Sequence, residues 1–91
     1  MANVKELKVS GSTEPKKLGG AIASYLEEEG EIKVAAMGAG AVNQAVKGII
    51  IAKSYVAASV DTFKIDFGFK NRNDGPDNKE VTVIVFKITL G

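Results

Sequence analysis

The residues of this chain best suited to binding an anion lie at two predicted helix starts. Lys16 and Lys17 fall in the first turn of one predicted helix, where the helix dipole is already positive. Gly38 and Gly40 lie between a predicted strand and a second helix, and Asn43 falls in that helix's first turn. Small residues let a backbone approach a ligand closely, and a helix start offers unpaired N–H groups. The pattern predicts a phosphate site at these five residues.

Each part of this prediction has a structural alternative. The glycines also suit close packing of the second helix on a sheet. Exposed lysines at a helix start cost little folding free energy and can be present without any ligand. The Gly38–Gly40 turn does not complete a dinucleotide fingerprint, because Asn43 stands where the third glycine belongs. Arg72 lies in a turn-rich tip, residues 71–78, and is either an arm that reaches into a groove or part of a solvated loop.

The composition argues against catalysis and against a bound cofactor or metal. The chain has no Cys and no His. Disulfides and thiolate metal sites are therefore impossible, and the commonest general base is missing. The acidic residues do not form a cluster with metal-ligand spacing. We expect a binding protein that is not an enzyme.

Charge and hydropathy narrow the partners. The chain has twelve basic and eleven acidic residues, so its net charge is close to zero. Any surface that binds nucleic acid must therefore be a local patch of positive charge. No apolar run approaches the roughly 18 residues that span a bilayer, and the first residues lack the apolar segment of a signal peptide. The sequence predicts a cytosolic protein without membrane contact.

The elements that would position these residues follow from hydrophobic periodicity and turn residues. Gly11 to Pro15 reads as a helix start that Ser12 or Thr13 can cap, and Gly30 fits the position just after the helix. The predicted elements are strand 4–10, helix 15–29, strand 31–37, helix 41–56, strand 60–70 and strand 80–90.

This β-α-β-α-β-β order predicts one α/β domain over residues 1–91, a two-layer α+β sandwich with both helices on one face of a mixed sheet. The last strand is apolar on both faces, which suits a central strand. The third strand alternates, which suits an edge. We therefore predict strand order 1-2-4-3, with strand four antiparallel to its neighbours.

A homodimer is also predicted. Ile51 falls on the polar face of the second helix in its sequence pattern, beside a glycine. Val81, Val83 and Val85 form the second apolar face of the last strand. We expect the two copies to meet through strands three and four and the Gly48–Ile51 side of the second helix.

Three segments resemble the stage V sporulation protein S family along nearly the whole chain. They are Leu7-Lys-Val-Ser10, Gly38-Ala-Gly-Ala-Val-Asn-Gln-Ala-Val-Lys47 and Ile51-Ala-Lys53. That family is similar to the Alba-like group, whose fold is β-α-β-α-β-β and whose archaeal members bind DNA and RNA as dimers. The resemblance implies the same fold, a nucleic-acid partner and a role in spore development.

Residue by residue, the resemblance carries over only in part. Lys16 and Lys17 match the paired lysines that Alba proteins have at the start of their first helix. The basic Arg-Gly-Arg turn of Alba corresponds here to Gly38–Gly40, and a helix lysine corresponds to Gln44. The resemblance therefore implies a weak, non-specific phosphate binder. The alternative is a protein-interaction module that kept the fold and lost nucleic-acid binding.

Overall fold

The computed structural model describes residues 4–56, 63–74 and 79–90. Four strands and two helices follow one another in the predicted order. They are β1 (Glu6–Val9), α1 (Pro15–Glu29), β2 (Glu31–Ala36), α2 (Ala39–Tyr55), β3 (Phe63–Asp74) and β4 (Lys79–Leu90).

The strands form one mixed sheet in the order β1-β2-β4-β3, as predicted. β1 pairs with β2 in parallel, and β4 runs antiparallel to both of its neighbours. The central place of β4 explains its two apolar faces, since Phe86 and Ile88 are buried in the core and Val83 is buried on the opposite face. The third strand is an edge strand, as its alternation indicated.

Both helices cover one face of the sheet and pack on β1, β2 and β4. α1 buries the stripe that its periodicity predicted, with Leu18, Ile22 and Leu26 in the core. It ends at Gly30, whose φ of 79° is left-handed and whose N–H donates to the Leu26 carbonyl at 2.9 Å.

The two helices approach each other closely where glycines face them. A Cβ built on Gly19 would lie 2.6 Å from Cγ2 of Ile51, and one built on Gly48 would lie 2.5 Å from Cδ2 of Leu18. The predicted dimer contact on the Gly48–Ile51 side of α2 is therefore wrong, because this side packs on α1. The helical pattern of α2 alone could not show this, since the space that Ile51 fills is provided by α1.

A second part of the dimer prediction, the exposed valine face of the last strand, is also wrong at Val83. Val83 is only 3% exposed, and it lines a pocket with Glu6 and Lys70. The Lys70 ammonium lies 3.6 Å from the Glu6 carboxylate, which joins the edge strand β3 to the edge strand β1 across this face. The valine face of β4 is therefore partly covered by the chain itself. The side chain of Val81 lies outside the described residues.

The β3–β4 hairpin is longer than its sequence indicated. Strand pairing continues to Asp74 opposite Lys79, so residues 71–74 belong to a strand instead of the predicted tip. Asn and Asp disfavour a strand in isolation, but the backbone pairing with β4, which continues through all four residues, overrides that local preference.

Candidate functional site

The starts of α1 and α2 lie together at one end of the sheet. β1 and β2 are parallel, and each leads directly into a helix on the same face, so both helices begin at the same edge. The amide side chain of Gln44 donates to the Thr13 carbonyl at 3.0 Å, which links α2 to the loop before α1. A Cβ built on Gly40 would lie 3.6 Å from Cα of Gly11. The structure confirms the predicted juxtaposition of the two helix starts.

The start of α1 differs in detail from the predicted capping. Glu14 occupies the N-cap position and makes no side-chain capping bond, while Pro15 takes the first turn. Ser10 and Thr13 instead close the preceding turn, where the Ser10 N–H donates to Oγ1 of Thr13 at 2.9 Å. The first helical donor is the Leu18 N–H, which reaches the Glu14 carbonyl at 3.0 Å. The earlier amides of this helix are thus left for solvent or a ligand.

The start of α2 is shaped by Gly38. This residue has φ 93° and ψ 156°, a conformation that is almost confined to glycine. Its carbonyl accepts the first helical bond, from the Val42 N–H at 3.0 Å. Gly38, Gly40 and Asn43 are all exposed, so the first turn of α2 is open to a ligand.

The charge at this end of the sheet is positive. Lys16 and Lys17 are exposed in the first turn of α1, and neither helix has an acidic residue in its first turn. The Lys17 ammonium lies 3.3 Å from the Glu14 carboxylate, but both side chains are more than half exposed, so the pair is worth little. Placing two cations at a positive helix end costs about 0.3–1 kcal/mol each, which an anion would offset.

Sequence reasoning missed Lys47 as a member of this end of the molecule. It is exposed on α2 and lines a surface groove with Lys16. The sequence spacing could have identified it, because Lys47 follows Gln44 by three residues and therefore lies on the same helical face. Gln44 itself is held by Thr13, and hence this face of α2 is directed towards the start of α1.

Arg72 is the predicted site residue that the structure does not join to this cluster. It lies in β3 opposite Val81, which replaces the predicted arm or loop by a paired strand. The side chain of Arg72 lies outside the described residues. Lys70, two residues earlier on β3, forms an ion pair with Glu6 on the face of the sheet that the helices leave open. That face lies away from the helix starts. The role of Arg72 in binding stays a prediction from the sequence.

A second candidate surface is an apolar stripe on β3. Ile65, Phe67 and Phe69 pair with the helix-side residues of β4, so they share the face that the helices cover elsewhere. The Phe67 ring packs edge-on against the buried ring of Phe86, with centroids 5.3 Å apart. The helices do not cover this stripe, and Phe67 and Phe69 are 66% and 77% exposed. Two such rings on one strand indicate a contact surface.

The described residues hold neither a cluster of metal ligands nor a membrane-spanning helix. Within residues 4–56, 63–74 and 79–90, no three Asp or Glu side chains come close enough together to hold a metal ion. Over the same ranges, neither helix has the length and apolar character needed to cross a membrane.

The fold defines an Alba-like α+β domain. The structure is similar to that of Alba from Thermoplasma volcanium, with a TM-score of 0.55 over 93% of this chain and 99% of that chain. The sequence identity is 13%, so this likeness shows a shared fold only. The family follows from the sequence: the model of the family described as Stage V sporulation protein S (SpoVS) matches residues 5–90. The protein belongs to that family.

Proposed function

We propose that this protein binds DNA or RNA through backbone phosphates, as a homodimer, in a regulatory role in development. The observation that best supports this proposal is that two helix starts with unpaired N–H groups lie together beside Lys16 and Lys17. The family's description as a sporulation protein and the Alba-like fold support the developmental role and the nucleic-acid partner. We place the protein in the cytoplasm and assign it binding without catalysis.

The physical argument rests on complementary charge. Backbone N–H groups at a helix start and the ammonium groups of two consecutive lysines match the phosphates of a nucleic-acid backbone. Lys16 and Lys17 would neutralise two phosphates per protomer. At a slope of about −0.9 per phosphate, a dimer engaging both sites gives a log–log salt slope near −3 to −4 on duplex DNA. Non-specific affinity of roughly 10⁻⁴–10⁻⁶ M follows at physiological salt.

The dimer would bury the apolar stripe of β3, formed by Ile65, Phe67 and Phe69. A second copy is the natural occupant, because the stripe is continuous, lies on an edge strand and is left bare by the helices of its own chain. This keeps the predicted involvement of β3 and replaces the Gly48–Ile51 side of α2 by the aromatic residues. A dimer would also double the number of phosphate sites on one particle.

A charge reversal at α1 tests the proposal. The double variant Lys16→Glu/Lys17→Glu should lose binding to both RNA and duplex DNA in a fluorescence anisotropy titration over a salt series. Lys53→Glu is the matched control, because Lys53 is an exposed lysine in the last turn of α2, at the far end of the helices. Its affinity should change far less than that of the double variant.

Two results would contradict the proposal. Unchanged affinity in the double variant would move the phosphate site away from α1. No binding by the wild-type protein even at low salt would favour the second candidate, a protein-interaction module. The exposed aromatic stripe on β3 is the observation that favours this second candidate.

A further inference from the structure

A groove between the start of α1 and the middle of α2 adjoins the phosphate site described above and shares Lys16 with it. Its floor is apolar, formed by Pro15, Ile50 and Ile51, and its edges carry charged groups. Its volume is about 590 Å³, which is more than a single nucleobase needs. The charged residues at its edges are Glu14, Lys16 and Lys47.

Ile50 is exposed although both of its neighbours in the chain pack inward. Its neighbour Ile49 is buried in the core, and Ile51 packs on Gly19 of α1. Ile50 is 63% exposed and contributes its side chain to the groove instead. At an exposed helix position, isoleucine has a lower helix propensity than Ala, Lys or Glu, and it leaves apolar surface in contact with water. Binding of an apolar ligand group would give it a role.

The edges of the groove select the chemistry of that ligand. Among the described residues, Lys16 and Lys47 have no carboxylate within ion-pair distance, whereas Glu14 is already paired with Lys17. The free charge at the groove is therefore positive. A purely apolar partner would leave these two ammonium groups without a counter-charge. A nucleotide carries both a flat apolar face and an adjacent anion.

We propose that this groove takes an unpaired base of a single-stranded nucleic acid, with neighbouring phosphates against Lys16 and Lys47. This rests on the proposed function and adds to it a preference for single strands. A base inside a duplex is stacked and paired, so its face is not free to enter a protein groove. An unpaired base can lie on Pro15 and Ile50 while its backbone runs along the lysines.

The test separates the base from the phosphates. Wild-type protein, Ile50→Ser, Val46→Ser and Lys47→Gln are titrated with an oligouridine and with a DNA duplex of equal length over a salt series. Val46 is the matched control, since it is an exposed apolar residue one turn earlier on α2 but does not line the groove. Circular dichroism melts check that all four proteins are folded.

The expected result has four parts. Wild-type protein binds the oligouridine more tightly than the duplex. Ile50→Ser lowers the oligouridine affinity about fivefold, because the apolar contact between Ile50 and the base is lost, and it leaves the salt slope unchanged. Its duplex affinity is unchanged, and Val46→Ser changes neither. Lys47→Gln should reduce the slope on the oligouridine by about 0.7, because one phosphate contact is lost.

The outcomes that overturn the inference differ from those that overturn the proposed function. Equal losses on both probes, or no loss with Ile50→Ser, would show that no base enters the groove. Duplex binding without oligouridine binding would overturn this inference alone. Failure of the wild-type protein to bind either probe would overturn both. If Ile50→Ser weakened self-association without nucleic acid present, the groove would be an interface between copies.

Discussion

Replacing Gly19 by alanine tests the close helix contact that fixes the two helix starts relative to each other. The added Cβ would lie 2.6 Å from Cγ2 and 2.8 Å from Cβ of Ile51, and 3.0 Å from the carbonyl oxygen of Gly48. The Cβ of Ile51 is attached directly to the α2 backbone, and the Gly48 oxygen is part of it. Neither atom can rotate away, so the helices must separate or α1 must shift.

The magnitude follows from two opposing terms. Overpacking of a tight core contact costs about 1–3 kcal/mol of unfolding free energy. Alanine is about 1 kcal/mol better than glycine inside a helix, which offsets part of this cost. We therefore expect Gly19→Ala to destabilise the protein by about 0–2 kcal/mol.

The adjacent Gly20 provides the control that removes the helix-propensity term. A Cβ built there meets nothing within 4 Å, so Gly20→Ala should gain about 0.5–1 kcal/mol. The two variants should differ by about 1–3 kcal/mol, and each kcal/mol shifts the melting temperature of a domain this size by roughly 4–8 °C.

Urea unfolding followed by circular dichroism measures this difference, at one fixed protein concentration because dimerisation would shift the apparent stability. Equal stabilisation by both alanines would refute the reasoning. It would mean that α1 and α2 are further apart in solution than the contact of Gly19 with Ile51 requires.

Two further predictions concern the start of α2 and the dimer. Gly38→Ala should lower the unfolding free energy by about 1–3 kcal/mol, because φ 93° with ψ 156° is strained for any residue with a Cβ. A urea midpoint equal to that of the wild type would contradict this. Phe69→Asp should convert the proposed dimer to monomer in sedimentation velocity at tens of micromolar, whereas Lys64→Ala, on the opposite face of β3, should not. Monomer alone in the wild-type protein would remove the dimer proposal.

Several features of the site were predictable because they depend on local pattern and on chain connectivity. Two helices that follow adjacent parallel strands must begin at the same edge, so Lys16 and Gly38 could be placed together from element order. Gly30 was predictable because a helix that ends in a left-handed residue favours glycine there. Lys47 and Ile50 were not identified as groove residues, since the groove exists only between two packed helices.

The sequence by itself determined the elements, their order and the central place of β4, because hydrophobic periodicity and turn residues act within a few positions of the chain. The tertiary structure alone decided which faces meet. Ile51 packs on α1 because Gly19 leaves room for it, and Val83 is buried where Lys70 crosses to Glu6. Such contacts join residues far apart in the chain, and a periodicity computed along one element contains no information about the surface that another element presents.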